Sequence, residues 1–309
     1  MEIQENVELK PHTVFKIGGQ ARYFCEARTL EDLREAVHFA RDKSAPFFLL
    51  GAGSNVLISD RGFGGVAIKM MLQNLSISGM HVGADAGVSM ARATAETIKA
   101  GLAGFEWAIG IPGTIGGSVR GNAGCYGKEM KDVLHSVRVF DAMTDELRVL
   151  SRRECHFGYR DSIFKKNPSW IVVSMNMYLE SGVAQDSQKL VGKYSLRRRA
   201  TQDIGAQCAG CMFKNVLWGA VDKSSLTKKF PDLREFSASP VIPAAFLIDR
   251  LDLKGIKIRG ATVSTRHANY FVNVDNSTAE DVMALVSLVK DRVHRTYGIL
   301  LEEEVQFIS

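Results

Sequence analysis

The spacing of apolar side chains divides this chain into helices and strands before any motif is read. Leu33, Ala36, Val37 and Ala40 recur at i, i+3, i+4 and i+7 and predict an amphipathic helix, which Thr29 and Asp32 open as a capping box. Residues 23–26 before it read as a strand. Residues 46–50 after it form a short apolar strand that runs into a loop, 51–55. Residues 56–58 and 66–68 are strand-like around a turn at Gly62, Gly64 and Gly65. A second helix is predicted over 89–100, closed by Gly101, and alternating segments follow at 136–141, 146–150 and 170–179. From 183 to 199 the pattern turns helical. A composition change near 197–207 marks a boundary. Beyond it are a helix at 244–251, a strand at 270–274, and a long helix from Thr278. That helix carries Val282, Leu285, Val286, Val289 and Val293 on one stripe and stops at Gly298. Residues 299–308 form a strand-like tail with three adjacent acids, Glu302, Glu303 and Glu304.

These elements describe an α+β chain. Its 309 residues are enough for two or three domains at about 100–200 residues each. No run approaches the roughly 18 apolar residues of a membrane span. Residues 1–10 have no apolar signal core, so a soluble cytoplasmic protein is expected. The net charge is +5 and the pI is about 8.9. The basic residues are scattered among acids except at Arg197, Arg198 and Arg199, and nucleic-acid binders concentrate theirs on one face with aromatics nearby. A slightly basic enzyme acting on anionic small molecules is the expectation, with no nucleic-acid or membrane partner. The five cysteines are irregularly spaced, which argues against a disulfide framework. Cys208 and Cys211 form a lone C-x-x-C without the second ligand pair that zinc requires, so no metal is expected.

Two glycine-rich loops carry the candidate chemistry. The first, 51–55, stands between strands. A Rossmann fingerprint needs a helix directly after its glycines, so that reading is disfavoured. The second, 110–127, has glycines at 110, 113, 116, 117, 121, 124 and 127 and lacks the G-K-[ST] of a P-loop. Glycine at this density lets backbone N–H groups approach an anionic ligand.

The order of motifs is more specific than any one of them. T-V-F-K-I-G-G-Q-A-R (13–22), G-A-G-S-N-V-L (51–57), G-I-P-G-T-I-G-G (110–117) and G-N-A-G-C-Y-G (121–127) come first. F-G-Y-R-D-S (157–162), M-F-K-N (212–215), S-T-R-H-A-N-Y-F-V-N (264–273) and L-E-E-E-V (301–305) follow. This series resembles the UDP-N-acetylenolpyruvoylglucosamine reductases along essentially the whole chain, in the shorter branch that lacks an extra tyrosine-bearing loop.

The resemblance implies a two-lobed FAD-binding region of the vanillyl-alcohol-oxidase type over 1–196, with lobes of about 1–70 and 71–196. A substrate domain over 197–297 and a tail, 298–309, returning to the active site complete it. It implies FAD reduced by NADPH, in a protein expected to be a monomer. The UDP-sugar enolpyruvyl ether would be reduced to UDP-N-acetylmuramate for peptidoglycan synthesis, with hydride passing from flavin N5 to C3.

By motif, Gly51, Ala52, Gly53, Ser54, Asn55 and Val56 would hold the cofactor. So would Gly110, Pro112, Gly113, Thr114, Gly116, Gly117 and Ser118, with Asn122, Ala123 and Gly124. Arg160 would polarise the substrate carboxylate and Glu304 would stabilise the developing enolate, while Glu302 and Glu303 would be solvated or structural. Where the family has serine as proton donor to C2, this chain has Cys211. With a reference pKa of about 8.5, a thiol is the stronger acid. A Cys208–Cys211 disulfide that sequesters the donor is an alternative use of the pair. Tyr159, Arg197, Gln202, Lys214, Asn215 and His267 would contact substrate, with His267 equally suited to packing. Asp203 replaces a proline and Asp252 replaces a glycine of the family pattern. The competing enzyme reading is another flavin oxidoreductase of the same fold, such as an alcohol oxidase with covalently anchored flavin. A nucleotide-responsive binding protein without turnover is the competitor from another class.

Overall fold

The computed structural model describes all 309 residues, Met1–Ser309. The chain forms two compact units. The first comprises Met1–Val7, Ala21–Gly53 and Phe63–Ala200, the second Glu8–Gln20, Ser54–Gly62 and Thr201–Ser309.

The first unit is built on two sheets. In chain order its leading elements are β1 (Ile3–Glu8), β2 (Gln20–Ala27), α1 (Leu30–Asp42) and β3 (Phe47–Leu50). After β4 (Val56–Ile58) come β5 (Phe63–Met70), β6 (Leu75–Ser78), β7 (His81–Asp85) and α2 (Met90–Lys99). One sheet has the order β1-β2-β5-β3, with β5 parallel to both β2 and β3. Parallel strands need a crossover, and α1 makes the one from β2 to β3, which flank β5, burying Leu33, Ala36, Val37 and Ala40. Its capping box is formed as the sequence predicts: Thr29 accepts from the Asp32 N–H while the Asp32 carboxylate accepts from the Thr29 N–H. The other sheet is antiparallel and joins Glu146–Ser151, Leu134–Asp141 and Trp170–Tyr178 to β7 and β6. One apolar core runs through this unit from Tyr23 to Leu179.

Within the glycine-dense stretch lies a helix absent from the sequence reading, α3 (Ile115–Arg120). Its composition, I-G-G-S-V-R, is poor for helix. Its start is fixed from outside, where the Ile115 and Gly116 N–H groups donate to Val88 O and Ala86 O, both at 2.9 Å. A side chain at Gly116 would put its Cβ 2.8 Å from that of Ala86.

In the second unit, β4 pairs in parallel with the strand Gln306–Ile308. Lys257–Ile258, Ala261–Val263 and Phe271–Asn273 form a three-stranded sheet. Against it packs the helix Ala279–Tyr297, whose predicted valine and leucine stripe is buried and whose cap, Gly298, is left-handed at φ 70°. Phe15, Ile17 and Leu57 join this core. Asp252 has φ 53°, which accounts for the glycine common at that position in the family: the backbone there is left-handed.

Candidate functional site

The strand-loop-strand setting of the first glycine loop is observed, since β3 leads through 51–55 directly into β4. Gly53 is left-handed at φ 65° and Gly113 at φ 122°. The two glycine loops meet at Gly51 and Thr114. A Cβ on Gly51 would stand 2.6 Å from Thr114 Oγ1, so glycine is required for the approach. Gly117 is exposed and open, with no atom nearer than 3.8 Å to a Cβ built there. Ala52, Gly110 and Pro112 are also exposed, whereas Thr114 and Ser118 are buried. Apposed glycine backbone that is open at Gly117 has the character that close approach of an anionic diphosphate needs.

Three asparagines carry structural duties that sequence reasoning missed. Asn55 donates through Nδ2 to the Glu304 carbonyl at 3.2 Å and its own carbonyl accepts from the Gln306 N–H at 3.0 Å, so it ties down the segment bearing Glu304. Asn122, with 0% exposure, donates to Glu129 Oε2 and Gly158 O and accepts from the Lys131 N–H. Its amide is committed within the protein and steadies Gly158, two residues before Arg160. Asn215 Oδ1 accepts from the Ala244 N–H at 3.1 Å and caps the helix Ala244–Asp249. Hydrogen-bonding residues between glycines or after F-K gave no sign of these long-range partners.

Arg160 sits at φ 53° in a tight turn closed by the Gly158–Asp161 bridge. Left-handed backbone at a non-glycine residue is costly and concentrates at functional positions. Arg160 Nη2 donates to Gly124 O at 3.1 Å and its guanidinium lies 5.2 Å from the Tyr159 ring centroid. The structure thereby brings together Arg160, Tyr159, Asn122 and Gly124. Arg197 lies over the Tyr126 ring at 5.6 Å, and Tyr126 stacks on Tyr194 at 4.0 Å.

In the second unit, Cys211–Lys214 runs between two other segments. On one side Cys211 bridges Tyr270, and the Asn269 side chain accepts from the Phe213 N–H and donates to the Phe213 carbonyl. On the other, Phe213 bridges Glu303 and the Glu304 N–H donates to Met212 O at 2.8 Å. Cys211 and Glu304 are therefore carried on neighbouring extended segments, linked through isolated bridges. Glu302 pairs with Lys214 and Glu303 with Lys290, the structural roles expected of them. Lys214 Nζ is held 3.0 Å from Glu302 Oε2. The Gln202 carbonyl accepts from the Ile204 N–H.

Cys208 and Cys211 stand as free cysteines in this structure, and burial pushes the Cys208 thiol up. His267 packs on Tyr270 with ring centroids 4.4 Å apart, and its Nδ1 lies 3.3 Å from the Asn269 N–H. Burial pushes its pKa down, opposed by the nearby Asp203 carboxylate. Asp203 also accepts from the Ser264 hydroxyl, a contact that proline in its place could not make.

The FAD binding domain family model matches residues 21–150, the stretch that holds both glycine loops, and defines a flavoprotein of the FAD-binding type. The model described as UDP-N-acetylenolpyruvoylglucosamine reductase, C-terminal domain, matches residues 202–308. The chain is 36% identical to the UDP-N-acetylenolpyruvoylglucosamine reductase of Syntrophomonas wolfei, over 99% of this chain and 95% of the relative. It is 33% identical to that of Clostridioides difficile, over 100% and 94%. The crystal structure of the Thermus caldophilus reductase superposes with a TM-score of 0.78 at 29% identity, covering 100% of both chains. The chain belongs to the UDP-N-acetylenolpyruvoylglucosamine reductase family. It is thus an FAD-dependent oxidoreductase of peptidoglycan precursor synthesis, and the covalent-flavin oxidase and non-catalytic binding readings are set aside. No helix is long and apolar enough to cross a membrane.

Proposed function

We propose that this protein reduces UDP-N-acetylglucosamine enolpyruvate to UDP-N-acetylmuramate with NADPH, as a cytoplasmic monomer, and that Cys211 is its proton donor. FAD, when bound, would supply two-electron redox chemistry, with NADPH as the source of the hydride that the substrate's enolpyruvyl C3 receives. Gly51–Val56, Gly110–Ser118 and Asn122–Gly124 would hold FAD, the asparagines acting mainly by fixing backbone.

Hydride addition at C3 places negative charge on C2 and on the attached carboxylate. Arg160 binds that carboxylate through its planar fork, and Glu304 stabilises the same developing charge by hydrogen bonding. Cys211 then gives its Sγ proton to C2, completing addition of H⁻ and H⁺ across the double bond. The thiolate is reprotonated from solvent. Tyr159, Arg197, Gln202, Lys214, Asn215 and His267 orient the nucleotide and sugar.

The observation that carries this reading is the neighbouring placement of Cys211 and Glu304, joined through the 2.8 Å Glu304–Met212 backbone bond. The test is NADPH oxidation that requires the enolpyruvyl sugar. Cys211→Ala keeps FAD and its reduction by NADPH but loses about 100- to 10,000-fold in substrate turnover, the usual contribution of a general acid. Full turnover in that variant would remove Cys211 from the mechanism.

A further inference from the structure

The helix Ala184–Thr201 has 18 residues, and its buried positions are Ser187 and Arg198. Neither is a core residue by chemistry. Ser187 is accounted for, since its hydroxyl donates to Glu106 Oε1 at 2.5 Å. Arg198 is not. It is 8% exposed, no carboxylate pairs with it, and its Nε is buried without a hydrogen-bond partner. Its Nη1 reaches the Cys125 sulfur at 3.8 Å, a weak acceptor, and it meets the uncharged Tyr126 hydroxyl. A buried guanidinium in such surroundings is costly unless something anionic completes it.

The guanidinium lies against the second glycine loop. A Cβ on Gly110 would stand 2.8 Å from Arg198 Nε and 3.0 Å from Cδ, so Arg198 occupies the space a side chain there would need. Of the three consecutive arginines, Arg197 lies over the Tyr126 ring, while Arg198 is the buried one. Successive residues on a helix diverge by about 100°, so their roles cannot be interchanged.

We propose that Arg198 is a ligand-binding residue, its guanidinium receiving the diphosphate ester of a bound nucleotide at the Gly110 loop. The inference rests on the family's FAD- and UDP-sugar-dependent reaction, both of whose nucleotides carry a diphosphate. The planar, permanently charged fork suits two phosphate oxygens at once, and Gly110 gives it backbone-level access. Arg160 is assigned to the carboxylate, so a second cation for the phosphates is chemically distinct.

The test uses the full chain with Arg198→Met and Arg198→Lys. Three quantities are measured: the melting temperature of flavin-free protein, the FAD dissociation constant from flavin fluorescence, and the UDP dissociation constant from the visible spectrum of the holoprotein. A guanidinium waiting for a ligand adds nothing to the ligand-free fold, so flavin-free Arg198→Met melts at or above the wild type. At least one affinity falls tenfold or more, the scale expected when one partner of a buried charge pair is truncated. Arg198→Lys, which keeps the charge without the fork, falls between. Loss confined to FAD assigns the flavin diphosphate, and loss confined to UDP assigns that of the sugar nucleotide. Both affinities within about twofold of wild type, or a flavin-free melting temperature well below it, overturn the proposal. Wild-type protein that binds both nucleotides but does not turn over the enolpyruvyl sugar would overturn the proposed reaction and leave Arg198 standing.

Discussion

Gly51→Ala tests whether contact between the two glycine loops is what makes the cofactor cradle. The added methyl carbon would sit 2.6 Å from Thr114 Oγ1, well inside the roughly 3.5–4.0 Å of an unstrained contact. Thr114 is buried and β-branched, so a change of rotamer moves its methyl group into the same crowded space. Overpacking of this kind costs about 1–3 kcal/mol. In flavin-free protein the loops can part to avoid the clash, whereas bound FAD requires them together. The cost therefore appears in binding, as a rise of about 5- to 150-fold in the FAD dissociation constant. Thr114 Cβ lies 3.6 Å from the same point, an ordinary contact, so Thr114→Ala removes the obstruction, whereas Thr114→Val, with a methyl in place of the hydroxyl, retains it. In a double-mutant cycle, adding Gly51→Ala to Thr114→Ala changes the dissociation constant by less than about twofold, while adding it to Thr114→Val repeats the full loss. The assay is flavin fluorescence titration of deflavinated protein. Unchanged affinity in Gly51→Ala, or equal losses in the Thr114→Ala and Thr114→Val backgrounds, would refute the reasoning.

Further outcomes are expected. Burial holds the thiol pKa of Cys25 at about 11 and that of Cys155 at about 12; iodoacetamide at pH 8 should leave both unmodified in the native protein, as read by mass spectrometry, and labelling of either at a rate near that of unfolded protein would contradict the burial argument. His267 has its pKa lowered by burial, so the unfolded chain takes up the proton more readily. Stability is then full above the unfolded histidine pKa and declines as pH falls below it, and His267→Gln should flatten the melting-temperature profile between pH 7.5 and 5. Gly298 has φ 70° and no atom within 4 Å of an added Cβ, so Gly298→Ala isolates backbone strain and should cost about 1 kcal/mol in denaturant unfolding. A loss beyond roughly 3 kcal/mol would mean that more than a helix cap had been removed.

Much of the fold is legible locally. Thr29 with Asp32, and the valine stripe ending at Gly298, announce their helices because caps and 3.6-residue periodicity are short-range signals. The helix Ile115–Arg120 is invisible for the opposite reason: its start is held by Ala86 and Val88 rather than by its own residues. Residues 8–20 and 54–62 cluster with the C-terminal unit through pairings that no local pattern encodes. The site is legible as motifs but not as roles. Asparagines at 55, 122 and 215 read as ligand contacts, and no local signal shows that their amides also hold Glu304, Gly158 and Ala244. Among three adjacent arginines the sequence has no basis for choosing the buried one, because choosing requires the helix's rotation about its axis.

The pairing of β4 with residues 306–308 has a consequence for how the protein is made. Asn55 and the Glu304 backbone it secures are separated by 249 positions, so this junction cannot close while the ribosome is still adding the intervening chain. At about 5–20 residues per second, β4 waits on the order of 10–50 s for its partner, exposing an unpaired edge. Residues 54–62, though synthesised early, reach their final setting late, and chaperone occupancy of nascent chains should peak in that interval. Activity would then switch on in one step, when residue 308 clears the exit tunnel, instead of growing with chain length.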